Sequence, residues 1–113
     1  MHELGITRNI VAIVGERAAG QKVLRVRLEV GRLSGLMPEA IRFCFPIAAQ
    51  GTALEGALLE IDEPEGRGLC AACGAEPTLT VPIGRCPSCA APTLRIVSGE
   101  ELKIREMEVE PCA

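Results

Sequence analysis

Two Cys-x-x-Cys turns constrain this chain more than any other feature. They are Cys70-Ala71-Ala72-Cys73 and Cys86-Pro87-Ser88-Cys89, separated by the stretch Gly74 to Arg85. Each turn brings two sulfurs together and aims backbone N–H groups at them. Two such turns supply the tetrahedral all-sulfur set that Zn²⁺ favours, although an all-sulfur set also holds iron. A redox dithiol needs only one turn, and neither turn lies in a thioredoxin-like βαβ context. With every position filled by protein the site keeps no open place for chemistry, and its binding energy is folding energy for the segment that carries it. Gly74 suits the left-handed position that closes the first turn, and Ala90 is a less permissive choice at the matching place after the second. No internal repeat is read beyond the two cysteine pairs. Cys44 reads as a small core residue on a helix, and Cys112 as part of a loose tail.

The residues around these turns change character abruptly. From about Glu65 to Ser98 the chain holds four of its six cysteines and four of its eight prolines, with little aliphatic periodicity. This predicts a separate lobe held by chemistry rather than by burial. On either side the pattern is that of an ordinary core. Ile6, Ile10, Ile13, Val14 and Ala18 share one helical stripe, so a helix is expected over about Leu4–Ala19, with Gly20 as its stop. Lys22–Val30 alternates as a strand, with Leu24, Val26, Leu28 and Val30 facing one way and Arg25, Arg27 and Glu29 the other. Pro38 and Glu39 suit the first turn of a second helix running towards Gln50, with a kink or early end expected at Pro46. Ala57–Asp62 and Glu101–Glu110 read as two further strands. The apolar phase of the last slips between Ile104 and Met107, as in a bulged or edge strand. The expected class is α+β: a small three-stranded sheet with two helices, built from residues 1–64 and 99–113, and an inserted zinc-ribbon-like lobe over residues 65–98.

Composition removes several function classes. Phe43 and Phe45 are the only aromatic residues, so there is no stacking platform for single-stranded nucleic acid. The formal net charge is −3 and no Lys/Arg block is present, which argues against nucleic acid and against an anionic membrane surface. The start has no basic n-region, and no apolar run is long enough to span a bilayer. A cytoplasmic location is therefore expected, where six cysteines point to metal rather than to disulfides.

His2 is the one histidine in the chain. A terminal histidine is commonly just solvated. At position 2, however, the α-amine of Met1, the backbone nitrogen of His2 and its imidazole can close adjoining chelate rings on one metal, with a Glu3 oxygen nearby. Nitrogen-rich sets of this kind suit Ni(II) or Cu(II), and their affinity falls as protons compete for the ligands.

Taken in order, Met1-His2-Glu3-Leu4, Val30-Gly31-Arg32-Leu33-Ser34-Gly35, Pro38-Glu39-Ala40, Phe43-Cys44-Phe45, Gly51-Thr52, Glu55-Gly56-Ala57, the paired cysteine turns, Ser98-Gly99-Glu100-Glu101-Leu102 and Met107-Glu108-Val109-Glu110 resemble the HypA/HybF family of hydrogenase nickel-incorporation proteins. The resemblance spans essentially the whole chain. It implies a nickel-binding α/β domain with an inserted zinc lobe, and a metallochaperone rather than an enzyme. It further implies His2 as the essential nickel ligand, with Glu3 and the Met1 amine beside it, and Cys70, Cys73, Cys86 and Cys89 on zinc. The partners it implies are a HypB-type nickel GTPase and the large subunit of [NiFe]-hydrogenase, with urease served by some members; self-association is left open. Two residues depart from the family pattern: Gly5 replaces a common serine, and Pro46 interrupts a helix that is usually continuous.

Overall fold

A computed structural model of the protein describes residues 2–82 and 84–111. The elements run α1 (His2–Ala18), β1 (Val23–Val30), α2 (Pro38–Ala49), β2 (Leu58–Asp62), β3 (Gly66–Cys70), β4 (Thr78–Leu79), β5 (Leu94–Ser98) and β6 (Leu102–Val109). The class is α+β. The chain divides into two compact units, one of Met1–Leu28, Met37–Ile61 and Ile104–Ala113, the other of Glu29–Leu36 and Asp62–Lys103.

In the first unit the two helices pack on each other. The buried face of α1 consists of Thr7, Ile10, Val11, Val14 and Ala18. The stripe expected from the sequence is therefore rotated: Thr7 is fully buried, while Ile13 is 42% exposed. Thr7 tolerates burial because its hydroxyl donates to the carbonyl of Glu3, so no polar atom is orphaned. The helix also starts two residues before the predicted Leu4, at His2.

Helix α2 begins at Pro38 as predicted and does not end at Pro46; it runs on to Ala49. Pro46 is exposed. The carbonyl it cannot serve is thereby left on a face that water reaches, which makes the proline tolerable there. Ile41, Cys44, Phe45 and Ala49 form the buried face, so Cys44 is a core residue.

The sheet of this fold has the order β2-β1-β6. These are the three predicted strands, with β6 at an edge, which accommodates its phase slip: Ile104, Met107 and Val109 are half-buried. In β1, Val26, Leu28 and Val30 are buried, but at the strand start the phase changes. Val23 is fully buried, its N–H bonded to the carbonyl of Ala53, and Leu24 is 38% exposed. Arg25 projects on the other face and meets Glu60 at 2.5 Å, Glu108 at 3.3 Å and Glu106 at 3.4 Å, a ladder of ion pairs across all three strands.

The second unit contains the cysteine-rich stretch and more. Its sheet, β4-β3-β5, is antiparallel, with Gly66 opposite Leu79 and Cys70 opposite Leu94. These strands were not anticipated, and neither was a core. Cys70, Leu79, Cys86 and Leu94 form a buried cluster against which Leu33, Ala75 and Ile96 pack. The lobe is thus held by burial as well as by its cysteines. Leu33 arrives on the segment Glu29–Leu36, which is tied down by Gly31 N–H to Glu101 O, Arg32 N–H to Pro64 O and Leu33 N–H to Gly99 O, at 2.7 to 3.0 Å. That crossing needs glycine: a Cβ on Gly31 would stand 2.0 Å from the Gly99 oxygen, and one on Gly99 2.5 Å from the Gly66 Cα.

Candidate metal centre

The two cysteine turns fold alike, hydrogen bond for hydrogen bond. Gly74 N–H donates to Cys70 O and Ala90 N–H to Cys86 O, both at 2.8 Å. Cys70 N–H donates to Ala75 O and Cys86 N–H to Ala91 O, both at 2.9 Å. The chain leaves each turn through a left-handed residue, Gly74 at φ 75° and Ala90 at φ 63°. The second is a strained conformation for a residue with a Cβ. Arg85 spans the second turn from outside, its guanidinium donating to the Ala90 carbonyl.

The likeness extends beyond the turns. Cys70–Leu79 reads Cys-Ala-Ala-Cys-Gly-Ala-Glu-Pro-Thr-Leu and Cys86–Leu94 reads Cys-Pro-Ser-Cys-Ala-Ala-Pro-Thr-Leu. This is an internal repeat that sequence reading missed, because Glu76 has no counterpart and shifts the register by one. A self-comparison that allowed one gap exposes it. Each copy delivers a leucine, Leu79 or Leu94, to opposite flanks of β3, where both approach the Gly68 position.

The repeat brings the four predicted cysteines together. Their sulfurs all lie within 4.8 Å of one another, the first of each pair buried and the second exposed. Across the two turns, Cys70 Sγ is 3.7 Å from Cys89 Sγ, and Cys73 Sγ is 3.7 Å from Cys86 Sγ. Four sulfurs about 2.3 Å from a central ion, arranged tetrahedrally, stand about 3.8 Å apart. The set therefore fits a tetrahedral metal, and the cysteines are free rather than bridged.

The surroundings favour thiolates at the buried positions. The Thr93 hydroxyl, 3.3 Å from Cys70 Sγ, and the N–H groups of Cys73 and Ala72 bring the Cys70 thiol down to about 6. The N–H groups of Cys89 and Ser88 lower Cys86. At Cys73 the N–H of Ala75 works in the same direction, but local desolvation of the sulfur by its neighbours and the hydrogen bonds of the three other sulfurs outweigh it and push the thiol up to about 12, although the residue is exposed. Four sulfurs packed this closely make the last proton hard to remove, and a bound divalent ion would offset that penalty.

The N-terminal candidates lie on α1. His2 is its first residue and is exposed, and Glu3 follows in the first turn. Met1 lies outside the described residues, as does Cys112. The Glu3 carboxylate accepts from the Met37 N–H at 3.3 Å, immediately before α2. Its own N–H and that of Met37 hold this carboxyl below the ordinary carboxylate range. Among the described residues, the four cysteines are the only group of three or more potential metal-ligating side chains brought together.

A small α+β fold whose cysteine repeat gathers four sulfurs at coordination distance defines a metal-binding protein. A family model described as "Hydrogenase/urease nickel incorporation, metallochaperone, hypA" matches residues 1–109. The hydrogenase maturation factor HypA of Crocosphaera subtropica is 60% identical over 110 residues, covering 97% of this chain and 96% of that protein. The corresponding factor of Geobacter sulfurreducens is 46% identical over 110 residues, 97% of this chain and all of that protein. In fold, the chain is similar to the solution structure of the Ni metallochaperone HypA from Helicobacter pylori, with TM-score 0.68 and 20% identity over 95% of this chain and 96% of that one. A second solution structure of a HypA protein gives TM-score 0.70 at 22% identity, with 97% of each chain covered. The chain belongs to the HypA family of nickel-incorporation metallochaperones.

Proposed function

We propose that this chain carries Ni²⁺ as cargo at its N-terminus for maturation of [NiFe]-hydrogenase, while Cys70, Cys73, Cys86 and Cys89 hold a structural Zn²⁺. The observation that carries the cargo site is the placement of His2, the chain's one histidine, exposed at the head of α1. The first N–H groups of a helix have no intrahelical acceptor. The His2 backbone nitrogen therefore loses no helical bond when it gives up its proton to become a ligand. With the Met1 amine on one side and its own imidazole on the other, it closes two adjoining chelate rings. Glu3 contributes a carboxylate oxygen; its Oε2 accepts from Met37 N–H, which leaves Oε1 to reach the cargo.

The two metals have opposite requirements. A ligand set at the exposed head of a helix can be entered by an acceptor's ligands one at a time, so cargo can leave. A site closed by four thiolates, two of them buried, retains its ion. No open coordination position exists at the cysteines for a water or a substrate, so the chain works as a carrier and not as an enzyme. The acceptors are a HypB-type nickel GTPase and the hydrogenase large subunit, met in the cytoplasm. Residues 1–64 and 99–113 serve the nickel function and residues 65–98 the zinc function.

A nickel titration with a total zinc assay on tag-free protein tests this, run beside His2→Ala and a form extended at its N-terminus. The expected result is zinc at one per chain in all three, with nickel binding lost in both altered forms. Unchanged nickel binding in either would refute the terminal site.

A further inference from the structure

The repeat that builds the cysteine centre is symmetric in the hydrogen bonds of its two turns and asymmetric beyond them, where Glu76 lengthens the first copy by one residue. Each copy ends in Pro-Thr-Leu, so each supplies a threonine at the same place, Thr78 or Thr93. Thr78 lies in β4 opposite Arg67, exposed, and its hydroxyl is bonded to no cysteine among the described residues. Thr93 lies just before β5, where Leu94 pairs with Cys70, and its carbonyl accepts from the Ala71 N–H at 3.4 Å. That backbone position sets its hydroxyl 3.3 Å from Cys70 Sγ. In the bare thiol either group can donate. On a metal-bound thiolate only the threonine has a proton to give, so the hydroxyl donates and the sulfur accepts.

We propose that Thr93 is a positioning residue of the cysteine centre, whose hydroxyl donates a hydrogen bond to Cys70 Sγ and holds that thiolate on the metal. The inference rests on the reading of the four cysteines as a metal centre. Four thiolates on one divalent ion leave two uncompensated negative charges at a site where Cys70 and Cys86 are each only 1% exposed. Donors to sulfur spread that charge. The backbone supplies them at both turns, and the hydroxyl is an extra donor at Cys70. Thr78, with the same local sequence and no such bond, is a control within the same molecule.

The test uses the full chain loaded with Zn²⁺, and separately with Co²⁺ as a spectroscopic substitute, comparing wild type, Thr93→Val, Thr93→Ser and Thr78→Val. Valine keeps the shape and removes the hydroxyl; serine keeps the hydroxyl. Total metal, the rate of zinc transfer to excess chelator and the energy of the thiolate-to-cobalt charge-transfer band are read. The expected result is one metal per chain throughout, with transfer about tenfold faster in Thr93→Val, the lower end of the usual outer-shell effect. Its charge-transfer band should move to lower energy, because a sulfur that has lost a donor gives up an electron more readily. Thr93→Ser and Thr78→Val should match wild type. Thr93→Val that keeps one metal with wild-type rate and band would overturn the role of Thr93 and leave the metal centre standing. Thr93→Ser behaving like Thr93→Val would overturn it too, since shape rather than the hydroxyl would then matter. Wild type that holds no stoichiometric metal would overturn the metal centre itself, and the proposal with it.

Discussion

The two units of this chain solve the same problem with different means. The first buries aliphatic side chains in quantity: Val14, Val23, Val26, Leu28, Ile41 and Leu54 are all fully buried there. The second gathers only two leucines and two cysteines in the buried cluster around its cysteine turns, with help from Leu33 on a strap between β1 and α2. Below roughly 70 residues a single hydrophobic core rarely supplies more than a few kcal/mol, and metals or disulfides take over part of the stabilisation. The lesson is that metal chemistry and burial are not alternatives within the second unit. Cys70 and Cys86 at once contribute sulfur to the four-cysteine cluster and fill the little core that exists.

Removing the metal should separate the units most sharply. Structural zinc contributes on the order of 10 kcal/mol of folding free energy in small domains. Chelation, or Cys70→Ser, is expected to abolish amide-exchange protection in β3, β4 and β5 while α1 and α2 keep theirs. Loss of protection throughout would show that the first unit does not stand by itself. The converse experiment cuts into the aliphatic core. Leu28→Ala or Ile41→Ala should cost about 2–5 kcal/mol, read as a lowered midpoint of helix unfolding, with zinc content per folded chain unchanged.

A smaller effect sharpens the account of the repeat. Ala90 sits at φ 63° where the first copy has Gly74 at φ 75°. Ala90→Gly should stabilise the metal-loaded lobe by about 1 kcal/mol, and Gly74→Ala should destabilise it by a similar amount, measured by thermal unfolding at saturating zinc. Arg25 offers the contrast between charge and burial. Its ion pairs are part-exposed, so Arg25→Ala should lower stability less than any core truncation, and less still at high salt.

The smallest effect is a pH dependence at the N-terminus. The Glu3 carboxyl titrates below its ordinary range because N–H groups favour its charged form. Its contribution is therefore present above the unfolded-state value and lost as pH falls through the folded one. The Met37 amide resonance should move in that acidic window and should not do so in Glu3→Gln.

Legibility in the sequence followed where information is local. The cysteine cluster was readable because each turn fixes two sulfurs within four residues, and α2 because Pro38 and Glu39 mark a helix start. The strands β3 to β5 were not readable. Their centre is Gly66 and Gly68, which carry no side chain to show a pattern, and their partners Leu33, Leu79 and Leu94 are scattered along the chain. The burial of Thr7 in place of Ile13 depends on a hydroxyl finding the Glu3 carbonyl, which periodicity alone does not register. Thr93 was hidden by the single extra residue Glu76.

The central claim is that two metals occupy two chemically different sites on one chain. X-ray absorption at the nickel and zinc edges of a single doubly loaded sample tests it most directly. The account predicts nitrogen and oxygen donors with no sulfur around nickel, and four sulfurs at about 2.3 Å around zinc. Sulfur in the nickel shell, with zinc displaced in proportion, would contradict it and put the cargo at the cysteines.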